Sequence, residues 1–450
     1  MPLNPADLIW QFLDLTKWFW VFLILLPLTA STWLGWRQFR FEHSAAFRMG
    51  ILEMRIPREI RKSPRAMEQV FMAIHALRNY ASDPEEVWWD GEITRRFTFE
   101  ITSFGGEIRF FVRFYNRYRP LVEAAFLSYY PDVELVDVDD YIEQIPKDMD
   151  EMYARDLNMW GAEMELRRPE AYPIRSYAAF EAPDEERQYD PIASMLETLA
   201  KVKKGEFVGI QLVTAPKNPH WHEKWAPFIE KLKEQSSNKP KPPPTTKTEF
   251  PGGVLPVFSL AGQEEESPFK NIRISRTPGE TNVLEAVENN LSKPAFDVIL
   301  RFAYISPLPL FYESLARRAV GGIFNQYAAQ DLNHFGRNEG TSTRVRFWHW
   351  PYFFPKKRAE WRKAVLLHKY RHREMPPETF MAKVVGSRLF QWDFASKEFV
   401  MNVESLATLF HPPTFLVLTA PHIRRVESRK TGPPAGLAIY GDEKEIQKFQ

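Results

Sequence analysis

The sequence contains no cysteine among its 450 residues. This excludes disulfide bonds, thiolate metal sites and cysteine nucleophiles together, and it is compatible with a cytoplasmic location. Charges nearly cancel, with 59 Lys and Arg against 58 Asp and Glu. A uniformly basic nucleic-acid coat is therefore excluded, although charge can still be segregated locally. The 44% of hydrophobic residues is ordinary for a globular chain, and the length predicts two or three domains.

Several catalytic signatures are also missing from the sequence. There is no GxxxxGK[ST] phosphate loop, because Gly321-Gly322 and Gly432 lack the lysine and hydroxyl that such a loop needs. Neither a GxSxG elbow nor an HExxH motif occurs. The acidic residues between positions 132 and 140 alternate with valines, which is typical of solvated strand ends and not of a metal cage. The sequence therefore predicts a protein that is not an enzyme and has no catalytic, cofactor or metal site.

A long apolar run is present near the N-terminus, at residues 18–36, WFWVFLILLPLTASTWLGW. At 1.5 Å per residue, a helix of this length spans about 28 Å, close to the roughly 30 Å hydrocarbon core of a bilayer. Tryptophans at both ends match the aromatic belts of a membrane span, and Pro27 is tolerable there as a kink. The alternatives are a buried core helix and a cleaved signal peptide, which usually begins with a basic segment. We predict a retained transmembrane helix.

Basic residues are distributed unequally on the two sides of this run. Only Lys17 precedes it, whereas Arg37, Arg40, Arg48 and four further cations follow it before residue 63. The positive-inside rule then places residues 1–17 outside the cell membrane and the large C-terminal body in the cytoplasm. The sequence predicts a single-pass protein of the inner membrane.

The first part of the body, residues 48–145, has a recognisable order of elements. Alternating apolar residues predict strands near 50–56, 97–103, 107–114 and 133–138. Ser63-Pro64 is a typical helix start, and a second helix is expected over 119–130. The order β-α-β-β-α-β predicts a ferredoxin-like unit of the α+β class, with both helices on one face of the sheet.

The same order is predicted again over residues 170–350. Strands are expected near 174–180, 207–213, 296–305 and 343–350, with helices from Asp190-Pro191 and over 310–330. An insertion opens the central hairpin of this second ferredoxin-like unit and holds helices over 219–233 and 280–291. Residues 235–268 are rich in proline and charge and have little apolar surface, so they are predicted to form a mobile linker.

The C-terminal part, residues 355–450, begins with the most basic helix of the chain. This helix is a candidate contact for nucleic-acid phosphates or anionic lipid, although we favour a solvated helix face. His368 and His372 are four residues apart on it, but no third ligand is in view, so zinc is not expected there or at His220-Trp221-His222. The candidate contacts are Lys356, Lys357, Arg358, Arg362, Lys363, Lys369, Arg371 and Arg373.

The third predicted strand of the first unit also needs comparison with RNA-recognition motifs, which carry stacking aromatics there. With the hairpin turning at Phe104-Gly105, residues 100 and 109 are expected to lie opposite each other. The face away from the helices then shows Arg109, Phe111 and Arg113 with a single aromatic ring. This pattern does not favour RNA binding.

Several segments together resemble a known family. They are residues 59–71 (EIRKSPRAMEQVF), 88–106, 190–193 (DPIA), 404–413 (ESLATLFHPP) and 428–436. In this order they are similar to the region that precedes the motor in membrane-anchored ATPases of type IV secretion and conjugation systems from candidate-phylum bacteria. The family continues from such a segment into a phosphate loop, which this sequence does not contain. No catalytic residue is carried over.

The resemblance implies a non-catalytic, membrane-anchored platform that positions a type IV secretion-like translocation motor. The implied partners are a hexameric-type motor ATPase or other secretion-system subunits, the membrane, DNA and further copies of the chain. The alternative, from another functional class, is a membrane-tethered nucleic-acid-binding module.

Overall fold

The computed structural model describes residues 5–42, 48–57, 60, 62–79, 83–181, 189–237, 278–311, 315–350, 352–376, 393–414 and 423. The helices are α1 (Pro5–Glu42), α2 (Arg65–His75), α3 (Arg119–Tyr129), α4 (Met149–Ala154), α5 (Ala193–Ala200), α6 (Ala226–Ser237), α7 (Pro278–Ser292), α8 (Gly321–Ile323), α9 (Pro355–His372) and α10 (Val403–Leu409). The strands are β1 (Met49–Arg55), β2 (Phe97–Phe104), β3 (Glu107–Tyr115), β4 (Glu134–Asp137), β5 (Leu157–Leu166), β6 (Phe207–Pro216), β7 (Ala295–Pro307), β8 (Phe335–Arg337) and β9 (Phe399–Asn402).

Within these residues, the nine strands form one antiparallel sheet in the order β4-β1-β3-β2-β6-β7-β5-β8, with β9 pairing to β7. We call β1 to β4 the first half of the sheet and β5 to β8 the second half. Read from its outer edge, each half places its strands in the order fourth, first, third, second. The halves meet where β2 pairs with β6, Ile101 opposite Ile210. The fold is therefore mixed α+β around a large sheet.

One face of the sheet packs against α2, α3, α5, α8 and α10. Helix α2 is strongly amphipathic and buries Met67, Val70, Phe71 and Ile74 on this face. Its start follows the predicted pattern, because the Ser63 hydroxyl accepts a hydrogen bond from the Arg65 N–H at 3.1 Å. This face forms the main hydrophobic core of the described chain.

The opposite face is covered by residues 141–154 and by α9. Tyr141, which begins a short 3-10 helix, stacks on Phe111 of β3 with ring centroids 4.9 Å apart. Leu366 and Tyr370 of α9 pack on the second half of the sheet. The face of the sheet that was predicted to lie away from the helices is therefore covered. Phe111 points to this face, as predicted.

Two glycines let α9 lie directly on the strands. A Cβ atom at Gly209 of β6 would come within 1.8 Å of the Tyr370 hydroxyl. At Gly161 of β5 it would come within 2.5 Å of the Phe302 carbonyl oxygen and 2.7 Å of Leu366. The close approach of the helix therefore favours glycine at position 209, and the helix together with the neighbouring strand β7 favours glycine at position 161.

Helix α1 is long and apolar enough to cross a bilayer over Leu13–Arg40, and none of its most apolar window is buried. This exposure excludes a buried core helix and fits an anchor or a signal sequence. Near the end of the helix, the Trp33 indole N–H donates to the Trp88 carbonyl oxygen at 3.1 Å. The Arg37 guanidinium lies 5.6 Å from the centre of the Trp89 ring. The helix is therefore attached to the body at a short π-helical segment, Glu86–Asp90.

Some predictions for the first half need correction. The hairpin turns about Gly105 and Gly106, so Glu100 pairs with Phe111, and Arg109 pairs with Thr102. The predicted register was therefore wrong by two residues, because the turn has two central glycines at positive φ. A two-residue shift keeps every side chain on its predicted face.

In the second half, two strand predictions are wrong. Residues 174–181 are irregular and contain a short 3-10 turn, Tyr177–Ala179. The first strand of this half is instead β5, which ends eight residues before position 174. Residues 343–350 are also irregular, and the fourth strand is the short β8. The predicted helix over 310–330 is present as a π, α and 3-10 succession from Leu315 to Tyr327. The insertion lies between β6 and β7, as predicted.

Two predicted segments fall outside the described residues. They are most of the proposed linker, from residue 238 onward, and the C-terminal tail beyond residue 414 except Ile423, which forms an isolated bridge with Ile108.

Candidate functional site

Most of the eight lysine and arginine residues that were predicted as candidate contacts have partners inside the protein. Arg358 and Arg362 are buried and both bind the Asp393 carboxylate, at 2.5 Å and 2.7 Å. Burial alone would raise the pKa of Asp393, but the hydrogen bonds from these two guanidinium groups outweigh it and lower the pKa. Two of the eight candidate contacts are therefore engaged in a buried ion pair, and the favoured solvated helix face is wrong for this side of the helix.

Arg373, just beyond the end of α9, reaches the first half of the sheet. Its guanidinium donates to the buried Glu100 carboxylate at 2.6 Å and to Asp140 at 2.5 Å. Burial would raise the pKa of Asp140, but the hydrogen bonds and charge of Arg373 outweigh it and lower the pKa. Arg113 lies near this cluster, and burial together with the Arg373 charge lowers its pKa to about 10.

Three further cations of α9 also have internal partners. The Arg371 guanidinium donates to the Ile142 carbonyl oxygen at 2.8 Å and so holds α9 against the 3-10 helix. Lys369 donates to the Ser396 hydroxyl at 2.9 Å, and burial lowers the pKa of its ammonium group. Lys363 is close to Glu360 at 2.9 Å.

The same face contains a row of buried side chains that crosses the sheet. The register places Glu53, Phe111, Glu100, Gln211, Arg301 and Glu163 side by side on five neighbouring strand pairs. All six are almost fully inaccessible. Arg301 donates to the Glu163 carboxylate at 3.1 Å and to the Lys369 carbonyl oxygen at 2.6 Å. Because each charge has a partner, and the row is covered by α9 together with the 3-10 helix that begins at Tyr141, the row is suited to hold these two elements and not to contact a solute.

Lys356 and Lys357, in the first turn of α9, are the exposed cations of the eight candidates. They adjoin a dense group of exposed aromatic rings, which we call the aromatic surface. Arg346 adds a further cation, 4.7 Å from the centre of the Trp348 ring. Exposed aromatic patches of this kind mark interaction sites, and rings beside cations suit lipid headgroups or stacked bases. The aromatic surface consists of Phe347, Trp348, Trp350, Tyr352, Phe353, Phe354 and Trp361.

A second constellation fixes the segment that follows β9. His411 is buried, and its two ring nitrogens face acceptors, the Ala407 carbonyl oxygen at 2.7 Å and Asp190 at 2.9 Å. Both ring nitrogens of His411 are therefore engaged, one by a backbone carbonyl oxygen and one by a carboxylate. Asp190 also accepts from the Thr414 N–H at 2.7 Å. Burial would raise the pKa of Asp190, but the charge and hydrogen bond of His411 outweigh it and lower the pKa to about 2.

Helix α10, in the same segment, is held by a second ion cluster. The Lys293 ammonium group lies 2.8 Å from Glu68 of α2 and 2.7 Å from Glu404 of α10. Burial would lower the pKa of Lys293, but the hydrogen bonds that its ammonium group donates to Glu404 and Glu68 outweigh this effect and raise the pKa. Residues 403–414 are therefore fixed to α2 and to the start of α5.

A group of possible metal ligands lies at the other end of α9. The ligand atoms of His368, His372 and Glu374 all fall within 4.8 Å of one another. The expectation that His368 and His372 have no third ligand nearby is therefore wrong. The sequence pattern missed Glu374 because helical spacing continued past Arg373 does not bring residue 374 back to the histidines. Arg373 instead takes a left-handed backbone at φ 53°, which turns the chain.

Comparison with known proteins gives one family. Residues 40–338 match the family described as a domain of unknown function, DUF8128. Among curated proteins, no sequence matches this chain. Since the family match covers more than half of the 450 residues, the chain belongs to the DUF8128 family.

Proposed function

We propose that this protein is a membrane-anchored platform that positions a type IV secretion-like translocation motor and does no chemistry itself. The observation that carries this proposal is that two segments far apart in sequence are attached to the same folded body. Helix α1 is attached through Trp33 and Trp89, and residues 403–414 are attached through His411 and Asp190. We call residues 403–414 the exit segment. A body that joins an apolar helix to this fixed segment is suited to hold a partner at a defined position relative to a bilayer.

The finer architecture belongs to the same proposal. Each half of the sheet is interpreted as a ferredoxin-like unit, which is supported by the repeated strand order and by the helices on one face. Joining two such units edge to edge gives a broad, continuous surface. In the proposal, the tail beyond residue 414 extends from this body to contact the motor subunit.

The membrane orientation is tested by labelling single cysteines, since the natural sequence has none. Cysteines are introduced at Asn4 and at Ser236, and intact cells are treated with an impermeant thiol reagent. We expect labelling at position 4 and none at position 236 before lysis. Labelling at position 236 in intact cells contradicts the orientation, and loss of the position 4 peptide from the mature protein indicates a cleaved signal sequence.

The platform role is tested by recovering the solubilised protein from its own host membranes. We expect an ATPase with a phosphate loop to copurify, and the chain purified alone to turn over no ATP. His411→Gln should reduce recovery of that ATPase at least about fivefold, because it weakens the attachment of the exit segment. His220→Gln is the matched control at an exposed histidine. Absence of any motor ATPase, or ATP turnover by the chain alone, contradicts the proposal.

The second candidate function is a membrane-tethered nucleic-acid-binding module, which the aromatic surface favours. Exposed rings beside Arg346, Lys356 and Lys357 suit stacking of single-stranded bases with phosphate neutralisation. The test is fluorescence anisotropy with single-stranded DNA and RNA at physiological salt. Submicromolar binding that Lys356→Glu with Lys357→Glu abolishes supports this module, whereas the platform predicts only weak, nonspecific association. Lys203→Glu with Lys204→Glu is the control at two other exposed lysines.

A further inference from the structure

We propose that His368, His372 and Glu374 form a binding site for a divalent transition-metal cation of the zinc class, at the C-terminal end of α9. The three residues offer two imidazole nitrogens and one carboxylate oxygen, all within 4.8 Å of one another. Two histidines with a carboxylate are a ligand set that zinc accepts, with a fourth position left for water. This inference is independent of the platform proposal.

The separations are compatible with closure around an ion. Ligands about 2.0 to 2.2 Å from a tetrahedral ion lie about 3.3 Å from one another. His368 Nε2 and Glu374 Oε1 are already 3.1 Å apart. The rings of His368 and His372 have centroids 4.2 Å apart. His368 and His372 are exposed, so their side chains are free to rotate toward a shared ion.

The backbone around the ligands is already fixed by hydrogen bonds. His372 Nδ1 lies 2.9 Å from the His368 carbonyl oxygen, so it carries the proton and its Nε2 has the lone pair for a metal. The Glu374 N–H donates to the Lys369 carbonyl oxygen at 3.1 Å. The Glu374 carbonyl oxygen accepts from Arg301 at 2.6 Å. The His372 ring is therefore oriented by the helix backbone, and the backbone of Glu374 is held by Lys369 and Arg301.

The local charges also favour a cation. The C-terminal end of α9 carries the negative end of the helix dipole. Lys369 is directed to the Ser396 hydroxyl, Arg371 to the carbonyl oxygen of Ile142, and Arg373 to Glu100 and Asp140. Imidazole ligands favour zinc, cobalt, nickel or copper over magnesium or calcium, which prefer oxygen.

The experiment uses the full chain in detergent micelles, without a histidine tag, and Co²⁺ alone as the probe. We expect one equivalent of Co²⁺ to give the visible absorption of a low-coordinate site, and Zn²⁺ to displace it. His372→Ala and Glu374→Gln should each weaken binding at least about tenfold. The control is His220→Ala with His222→Ala, which removes an exposed histidine pair and the same number of imidazoles. This control should bind Co²⁺ as the wild type does.

A second measurement follows thermal unfolding with and without Zn²⁺. The wild type and the His220 and His222 control should be stabilised by the ion, and the two ligand variants should not, because an ion that binds only the folded state raises its stability. The proposal is overturned by a dissociation constant for Co²⁺ weaker than about 0.1 mM. It is also overturned if His372→Ala and Glu374→Gln bind Co²⁺ as tightly as the wild type.

Discussion

The two halves of the sheet share a strand order but neutralise their buried carboxylates differently. In the second half, Arg301 of β7 lies beside Glu163 of β5 and pairs with it. In the first half, the corresponding central strand carries Phe111, and Glu100 pairs with Arg373, which is 273 residues further along the chain. The counter-charge of Glu100 in the first half therefore comes from Arg373, directly after α9, whereas the counter-charge of Glu163 comes from its own half of the sheet.

The two halves also differ in the element that covers them on the face opposite the main core. The second half has Gly161 and Gly209, which admit Leu366 and Tyr370 of α9. Opposite Gly209, the first half carries Thr102, and its cover is the 3-10 helix that begins at Tyr141. Helix α9 thus lies on one half and supplies charge to the other, so it joins the two halves across the face opposite the main core.

The largest expected effect comes from Arg373→Met. This variant leaves Glu100 buried without its main cation, and removal of one partner of a buried ion pair costs about 4 kcal/mol of unfolding free energy. The measurement is denaturant unfolding of the solubilised chain. Arg119→Met is the control, since that exposed guanidinium pairs only with Glu123 and Asp137 at the surface and should cost below about 1 kcal/mol. A cost for Arg373→Met as small as that of the control means that the first half does not depend on α9.

Adding Glu100→Gln to Arg373→Met sharpens this prediction. Glu100→Gln removes the buried charge that Arg373 neutralises, so the double variant should regain about half of the lost stability. A double variant that is the sum of its two single variants shows that the two side chains are not coupled.

Arg301→Met should cost less, about 3 kcal/mol, although it also removes a buried cation. The reason is that Lys369 is near Glu163 and can supply part of the missing positive charge. The same unfolding measurement applies. If Arg301→Met is more destabilising than Arg373→Met, the second half is the more dependent one, and the comparison is reversed.

Gly209→Ala tests the contact that lets α9 lie on the second half. The added methyl group would overlap the Tyr370 hydroxyl, and such overpacking costs about 2 to 3 kcal/mol. Tyr370→Phe removes the hydroxyl oxygen but leaves the Cζ atoms of Phe207 and of residue 370 at 2.7 Å and 2.8 Å from the added methyl group. Adding Gly209→Ala to this variant should therefore cost less than adding it to the wild type, but it should still be destabilising. Equal costs in the two backgrounds would show that α9 does not press on Gly209.

Local patterns predicted several parts of this architecture. Alternation placed Phe111 on the correct face, and the X-Pro sequences at Ser63 and Asp190 marked the starts of α2 and α5. These features depend on residues a few positions apart. Strand β5 was missed because Gly161, Glu163 and Glu165 interrupt its apolar pattern. The buried Glu163 is explained only by its partner Arg301, which lies on another strand.

The candidate site was harder to predict for the same reason. A run of lysine and arginine predicts a solvated helix when its partners are unknown. Arg358, Arg362 and Arg373 are buried because Asp393 and Glu100 are brought to them by tertiary contacts. A charged side chain is buried only where the fold brings an opposite charge to it. The arginines and their carboxylate partners are far apart in the sequence, so the sequence pattern does not reveal these pairs.

The smallest expected effect concerns the starts of α2 and α5, at Ser63-Pro64 and Asp190-Pro191. As with the two halves of the sheet, the two starts differ in the partners that hold them, and Asp190 has a buried partner far away in the sequence. Ser63 and Asp190 each accept a hydrogen bond from the N–H two residues later, but Asp190 also binds the buried His411. Its pKa falls from 3.8 to about 2 on folding. A lowered folded pKa contributes stability above pH 3.8, and this contribution is lost as the pH falls toward 2. The shift corresponds to about 2 kcal/mol at neutral pH.

Asp190→Asn should therefore flatten the dependence of unfolding free energy on pH between about 4 and 2, while Ser63→Ala should leave that slope unchanged, because a hydroxyl does not titrate in this range. The measurement is denaturant unfolding at a series of pH values for both variants and the wild type. An unchanged slope in Asp190→Asn would show that the Asp190 carboxylate is not held ionised by His411. The buried start of α5 would then be no different from the exposed start of α2, and the exit segment would be fixed mainly by α10 and its pairing of Glu404 with Lys293.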